Sequence, residues 1–200
     1  MKKFLMFLCA VTLVFGMVGS AIAVPINFDV AGASSSSVTI SNVSPLWGCV
    51  SISAALVDDL DSQVFSLNNG ASKTFDFFDI TVSECGIGTA DISATLAFDT
   101  PSGASITGSG NGWFGTFFGV VSAGGLTWGD VPQTYFLPNG NSFDVDFEDI
   151  CVKGFGNTTT VSATVTAHAN PVPEPSTNLL MGVGLLGLVV YSRKRFGKKR

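Results

Sequence analysis

The chain has 200 residues, of which 46% are hydrophobic and only 12% are charged. Residues 24–170 hold 14 of the 15 acidic residues but only Lys73 and Lys153 as basic ones, a net charge of −12. Binding to nucleic acid depends on Lys and Arg contacts to phosphates. The composition therefore excludes nucleic acid as a partner of this stretch.

Residues 1–23 have the pattern of a secretory signal peptide. Two lysines follow Met1, an apolar run extends from Phe4 to Val18, and the segment ends in Ala21-Ile22-Ala23, an A-x-A cleavage site. An uncleaved anchor is the alternative, but the run is shorter than the ~20 residues of a spanning helix. We predict that signal peptidase cleaves after Ala23.

Residues 24–170 are predicted to form one all-β domain. Apolar and polar residues alternate with the two-residue period of half-buried strands. The predicted strands are 26–30, 37–43, 49–57, 63–67, 73–83, 88–99, 113–121, 133–137, 142–149 and 159–169. Strands with one apolar face pack as two antiparallel sheets. We predict an antiparallel β-sandwich ectodomain, flanked by an N-terminal signal helix and a C-terminal transmembrane helix.

Two stretches depart from this alternation. Around Phe77 and Phe78 the apolar side changes within one strand, which indicates either a bulge near Phe77 or a strand buried on both faces. Residues 101–129 contain nine glycines among several aromatic residues. We expect long hairpin loops in 101–129.

Three cysteines remain after signal-peptide removal: Cys49, Cys85 and Cys151. An oxidising compartment permits a disulfide, but spacing does not determine connectivity. We predict one bond, Cys49–Cys85, with Cys151 free or intermolecular. Three cysteines and one distant histidine do not have zinc-site spacing, so no metal site is predicted from them.

No catalytic centre is recognisable in the sequence. His168 is the only histidine, and a Ser-His-Asp or Cys-His site cannot be assembled around it with any support. A glycosidase needs only two carboxylates, but nothing sets Glu84 or Glu148 in a cleft. We predict that the protein is not an enzyme.

The acidic residues suggest calcium as the one candidate cofactor. Asp144, Asp146 and Glu148 share a strand face, and three further aspartates cluster in 58–61. Oxygen-rich clusters bind Ca²⁺, but neither group has the spacing of an EF-hand loop. A solvated face is the favoured interpretation, and calcium is the alternative.

The tryptophans allow two interpretations. Trp113 and Trp128, together with Trp47, would suit a sugar-stacking platform, because aromatic rings offer a flat apolar surface with a polar edge. The alternative is that they are buried in the sandwich core. Trp113 and Trp128 are therefore candidate glycan-binding residues.

The last 30 residues have three parts. Residues 171–176, Pro-Val-Pro-Glu-Pro-Ser, should be stiff and extended, because proline fixes φ and lacks an N–H. The 13-residue apolar stretch Leu179–Tyr191 spans only about 20 Å as a helix, so we extend the predicted transmembrane helix to about 177–192. Six basic residues follow and predict a cytoplasmic tail.

This order of parts resembles the PEP-CTERM sorting domain. The resemblance implies that Pro173, Glu174 and Pro175 are recognised by an exosortase, a membrane enzyme. It also implies that the helix and tail are removed, and that the body passes to the cell surface or extracellular matrix. Bacteria whose proteins carry this sorting domain are typically Gram-negative and secrete exopolysaccharide. The alternative is an ordinary tail anchor with a proline-rich stalk.

Two functions for the body follow from these patterns. The first is a non-catalytic protein of the cell surface or matrix. The second is a carbohydrate-binding module that binds exopolysaccharide through the aromatic residues of 101–129.

Overall fold

The computed structural model of the chain describes residues 23–117, 120–153 and 158–170, together with Gly182, Gly184, Leu185 and Gly187. Residues Val24–Asn170 form one unit. Within the described ranges, no helix has the length and apolar character needed to cross a membrane. Most of the predicted signal peptide, including Ala21, lies outside these ranges. So do the motif residues Pro173, Glu174 and Pro175 and most of the predicted helix 177–192.

The described body is built from antiparallel strands and a single 3-10 turn, Leu60–Ser62. The strands are β1 Ile26–Val30, β2 Ser37–Gly48, β3 Ser51–Leu56, β4 Val64–Leu67, β5 Ser72–Ser83, β6 Gly86–Thr100, β7 Ala104–Phe117, β8 Val120–Trp128, β9 Gln133–Phe136, β10 Ser142–Phe147, β11 Ile150–Lys153 and β12 Thr158–His168. The predicted all-β class is confirmed.

The strands form two sheets. The first has seven strands in the order β11-β8-β7-β6-β1-β4, with β2 also paired to β6. The long strand β6 pairs with β2 along residues 86–95 and with β1 at residues 98–100. The second sheet has five strands in the order β3-β5-β12-β10-β9. The last strand of the body, β12, is therefore the central strand of the smaller sheet.

Aromatic rings from the two sheets meet in the core. Phe143 of the five-stranded sheet lies 5.1 Å from Phe28 and 5.3 Å from Phe98 of the seven-stranded sheet, between ring centroids. All three are buried. Burying one such side chain stabilises the fold by about 1.5–3 kcal/mol, so these rings hold the two inner faces together.

The predicted bulge at Phe77 is confirmed. On β12, Val161 pairs with Phe78 and Ser162 with Asp76, so Phe77 is the extra residue on β5. Phe77 and Phe78 are each 0% exposed. The extra residue lets both neighbouring rings enter the core, which strict alternation would not allow.

The prediction of hairpin loops in 101–129 is wrong. This region forms β7 and β8, and the predicted strand 113–121 covers parts of both. The glycines leave room for rings. A Cβ on Gly108 would lie 2.7 Å from the Phe147 ring, and one on Gly125 would lie 2.6 Å from Nε1 of Trp113. Strand β11 was not predicted either.

Candidate binding face of the seven-stranded sheet

The outer face of the seven-stranded sheet is a polar surface with open aromatic groups. Because side chains alternate along a strand, β6 and β7 turn every second residue outward. Asp91 of β6 pairs with Asn111 of β7, and Thr89 with Trp113. These pairs bring an acid, an amide and an indole onto neighbouring positions of one face.

Asp91 holds two asparagine side chains in place. Nδ2 of Asn42 donates to Oδ2 of Asp91 at 2.7 Å, and Nδ2 of Asn111 donates to Oδ1 at 2.7 Å. The Asn42 bond first, and then the Asn111 bond, lower the pKa of Asp91, and slight desolvation opposes them. We call these three residues the amide clamp. Each amide keeps its carbonyl oxygen and a second N–H for other partners.

The backbone of β2 is shaped to present Asn42. The pairing of β2 with β6 shifts register between Ser41 and Ser44, and Asn42 in that bulge has φ of 50°. Asparagine is among the few residues other than glycine that adopt this left-handed region readily. The bulge re-aims the Asn42 side chain towards Asp91.

Trp113 provides an open aromatic surface beside the amide clamp. Its side chain is 50% exposed, and its cross-strand partner on β8 is Gly125. Because Gly125 has no side chain, the indole lies against its backbone. Trp47 on β2 is 59% exposed opposite Ile87. This end of the face therefore carries exposed apolar area that the described residues of the body leave uncovered.

A shallow groove lies on the other side of the amide clamp. Its volume is about 460 Å³, and its lining includes Asp91, Asn111, Ser93, Ser109 and Thr127. Along β7 the outward residues Ser109, Asn111 and Trp113 follow each other at steps of about 7 Å. The amide of Asn111 is therefore flanked by the groove and by the indole.

Trp128 lines one side of the groove, but it is not part of the exposed aromatic area around Trp113. Its Nε1 donates to the backbone oxygen of Glu148 at 3.1 Å, and its ring lies 5.1 Å from that of Phe147 at the end of the core. On β8, Trp128 stands two residues after Leu126 and so lies on the same, inward-facing side of the strand. Trp113 lies on the outward-facing side of β7. The structure therefore does not bring together the predicted pair, Trp113 and Trp128, in one platform.

The cysteines lie near the ends of strands. The backbone N–H of Cys49 donates to the oxygen of Cys85 at 3.1 Å, so the two are cross-strand neighbours. The predicted bond is not formed in this structure, in which Cys49, Cys85 and Cys151 are exposed free thiols. The Cys85 thiol instead donates to the Thr116 oxygen at 3.7 Å. The pairing stays a prediction.

His168 lies on the outer face of the five-stranded sheet, paired with Asp144. Its Nε2 is 2.7 Å from Oδ2 of Asp144, and Oγ1 of Thr134 donates to Oδ1 at 2.6 Å. Partial desolvation by itself would raise the pKa of Asp144, but the bonds from Thr134 and His168 and the charge of His168 outweigh it and lower the pKa. In the part of the chain that the structure describes, no three His, Cys, Asp or Glu side chains form a metal-binding group.

The sequence offered little sign of the amide clamp. Asp91 and Asn111 stand at ordinary polar positions of strands, and Asn42 lies 49 residues from Asp91 along the chain. Only the register of β2, β6 and β7 brings them together. The sole local signal was an asparagine at the point where the alternation of β2 stops, since asparagine tolerates positive φ.

Comparison with known families identifies the C-terminal segment. Residues 171–195 match the PEP-CTERM protein-sorting motif, which confirms the resemblance. The motif indicates an exported protein that is targeted by an exosortase and transiently anchored in the membrane through its C-terminal region. No curated protein and no solved structure matches the chain. The role of the body must therefore be argued from its own surface.

Proposed function

We propose that this chain is a non-catalytic protein of the cell surface or extracellular matrix, with a β-sandwich body. The observation that carries the proposal is the sorting motif at 171–195. The ring contacts between the sheets support the sandwich. Signal peptidase would cleave after Ala23, the basic tail would stay in the cytoplasm, and the exosortase would release the body outside.

Intact-mass analysis of the protein recovered from its native cells tests this route. A mass that begins at Val24 and ends within Pro173–Pro175 supports processing at both ends. A mass that extends to Arg200 would overturn the exosortase step, and one that retains residues 1–23 would overturn the signal peptide. Glu174→Ala should block C-terminal processing, whereas the matched change Glu148→Ala in the body should not.

A carbohydrate-binding module is the second candidate function. It is favoured by the exposed indole of Trp113 on an open face beside a groove whose lining includes Asp91 and Asn111. Sugar rings stack their apolar face on an indole while their hydroxyls find polar partners. Trp113→Ala should abolish the retardation of the full chain in gels that contain polysaccharide. Phe136→Ala removes a 77% exposed ring from the five-stranded sheet and should change nothing.

We also propose that the body folds without a cofactor. Both oxygens of Asp144 already accept hydrogen bonds, from Thr134 and His168, which leaves Asp146 and Glu148 as the calcium alternative on that strand. The melting temperature should be the same in millimolar calcium and in excess EDTA. An upward shift with calcium, reversed by EDTA, would establish the alternative.

A further inference from the structure

We infer that the amide clamp, Asp91 with Asn42 and Asn111, is the hydrogen-bonding centre of a site for neutral glycans, with Trp113 as its stacking surface. The inference rests on the second candidate function and adds the residues and the ligand class. Neither Asp91 nor the two asparagines stood out in the sequence.

The first argument is chemical fit. A pyranose ring has an apolar C–H face and hydroxyls at its edge, and each hydroxyl both donates and accepts. The clamp offers both roles, because each amide keeps a carbonyl oxygen and an N–H, and the Asp91 oxygens accept. Trp113 follows Asn111 on the same face of β7, about 7 Å along the strand, so we expect one oligosaccharide chain to contact both the indole and the amide.

The second argument is preorganisation. A free asparagine side chain loses rotamer freedom when it binds, which weakens affinity. Here Asp91 fixes both amides through bonds of 2.7 Å, and the bulge at Asn42 fixes one of them through the backbone.

The third argument is charge, and it selects the ligand class. The body carries a net charge of −12, and Asp91, like any solvent-exposed aspartate, is ionised at neutral pH. An anionic glycan would be repelled over the whole approach. Hydrogen bonds between an ionised group and neutral hydroxyls are stronger than those between neutral groups. The site therefore fits a neutral, hydroxyl-rich polysaccharide.

Affinity electrophoresis of the full chain in mild detergent tests the inference, with gels that contain dextran, galactomannan, mixed-linkage β-glucan or the polyanion alginate. At least one neutral polysaccharide should retard the chain, and alginate should not. Asp91→Asn and Asn111→Ala should each weaken binding by about tenfold or more, because each removes a bond to a charged group. The controls Asp146→Asn and Asn69→Ala, on other surfaces, should leave binding within about twofold.

The variant Asn42→Gly separates a loss of binding from a loss of folding. Glycine adopts the positive φ of position 42 without strain, so this variant removes one amide and keeps the backbone. It should weaken binding, while the loss of the bond to Asp91 should lower the melting temperature by only a few degrees.

The outcomes distinguish the carbohydrate-binding module from the role of the amide clamp within it. If Trp113→Ala abolishes binding but Asp91→Asn, Asn111→Ala and Asn42→Gly all bind normally, the module stands and the clamp is overturned. Binding to alginate alone would overturn the neutral ligand class. If none of the four polysaccharides retards the wild-type chain, both the module and the clamp are overturned.

Discussion

The two outer faces of the body differ in what their polar groups bind. On the five-stranded sheet the hydroxyls of β5 and β12 bind each other, as in Ser72–Thr166 at 2.9 Å and Thr74–Thr164 at 2.8 Å. On the seven-stranded sheet Asp91 aligns two amides that keep further donors and acceptors, beside an exposed indole. Both faces keep hydrogen-bonding capacity, but among the described residues only the second places it beside an exposed indole.

The inner faces of the two sheets differ in the size of their side chains. The five-stranded sheet contributes bulky side chains such as Phe77, Phe143 and Phe147, all buried. On the other sheet, strand β7 contributes Gly108 and Gly112 beside larger residues. Large side chains on the inner face of one sheet thus face glycine positions on the inner face of the other. The following predictions test these differences, from the largest effect to the smallest.

Phe143→Ala should lower the free energy of unfolding by about 3–5 kcal/mol, because it removes a ring that joins the sheets and leaves a cavity. Phe136→Ala, on the neighbouring strand but exposed, should change it by less than about 0.5 kcal/mol. Urea denaturation of both variants measures the difference. Equal effects would mean that Phe143 does not join the two inner faces.

The Cys49–Cys85 bond, if formed after export, should stabilise the seven-stranded sheet by about 3–4 kcal/mol through chain entropy. Cross-strand neighbours have Cα atoms about 4.5–5.5 Å apart, within the range for a disulfide. Cys85→Ser should remove this gain, and Cys151→Ser should not. Alkylation of the exported protein before intact-mass analysis should modify Cys151 alone. Modification of all three cysteines would contradict the pairing.

Gly108→Ala should destabilise the fold by about 1–3 kcal/mol, because its Cβ would stand 2.7 Å from the buried ring of Phe147. Gly112→Ala is the matched control on the same strand. Its Cβ would meet nothing nearer than 3.6 Å, so we expect no loss or a gain of about 0.4–1 kcal/mol. Melting temperatures of the two variants measure this contrast, and equal losses would refute the matching of large side chains with glycine positions.

Asp91 and Asp144 place one carboxylate with a lowered pKa on each outer face. An aspartate with a lowered folded pKa stabilises the protein above its unfolded pKa of about 3.9, and this stabilisation is lost as pH falls through the folded pKa. Carboxyl NMR titration should find both below that value. High salt should raise the pKa of Asp144 more, since part of its shift comes from the charge of His168. An equal response would assign both shifts to hydrogen bonding alone.

Most strands were predictable because half-buried strands impose a two-residue period. Strand β1 has the predicted bounds, and the bulge at Phe77 was visible because two adjacent phenylalanines cannot both face inward in a regular strand. Most of β7 and β8 was missed for a physical reason. Their glycines suggest turns by local propensity, but they serve non-local contacts, such as that of Gly108 with Phe147, which lies on the other sheet.

The candidate site was only partly predictable. Trp113 was a candidate because indoles suit sugar stacking, but the same argument applied to Trp128, whose ring lies against the buried ring of Phe147. Which tryptophan faces solvent depends on the register between β7 and β8. The amide clamp depends on three strands at once, so single-strand patterns carry almost no signal of it.

The central place of β12 matters for how the body withstands force. The sorting motif follows directly on Asn170, so any pull from a membrane-held C-terminus enters the body through β12. This strand is bonded on one side to β5 and on the other to β10, both antiparallel. Tension along β12 therefore loads two ladders together in shear. An edge strand pulled in the same direction would load only one ladder, so the body is attached to its tether at a mechanically strong position.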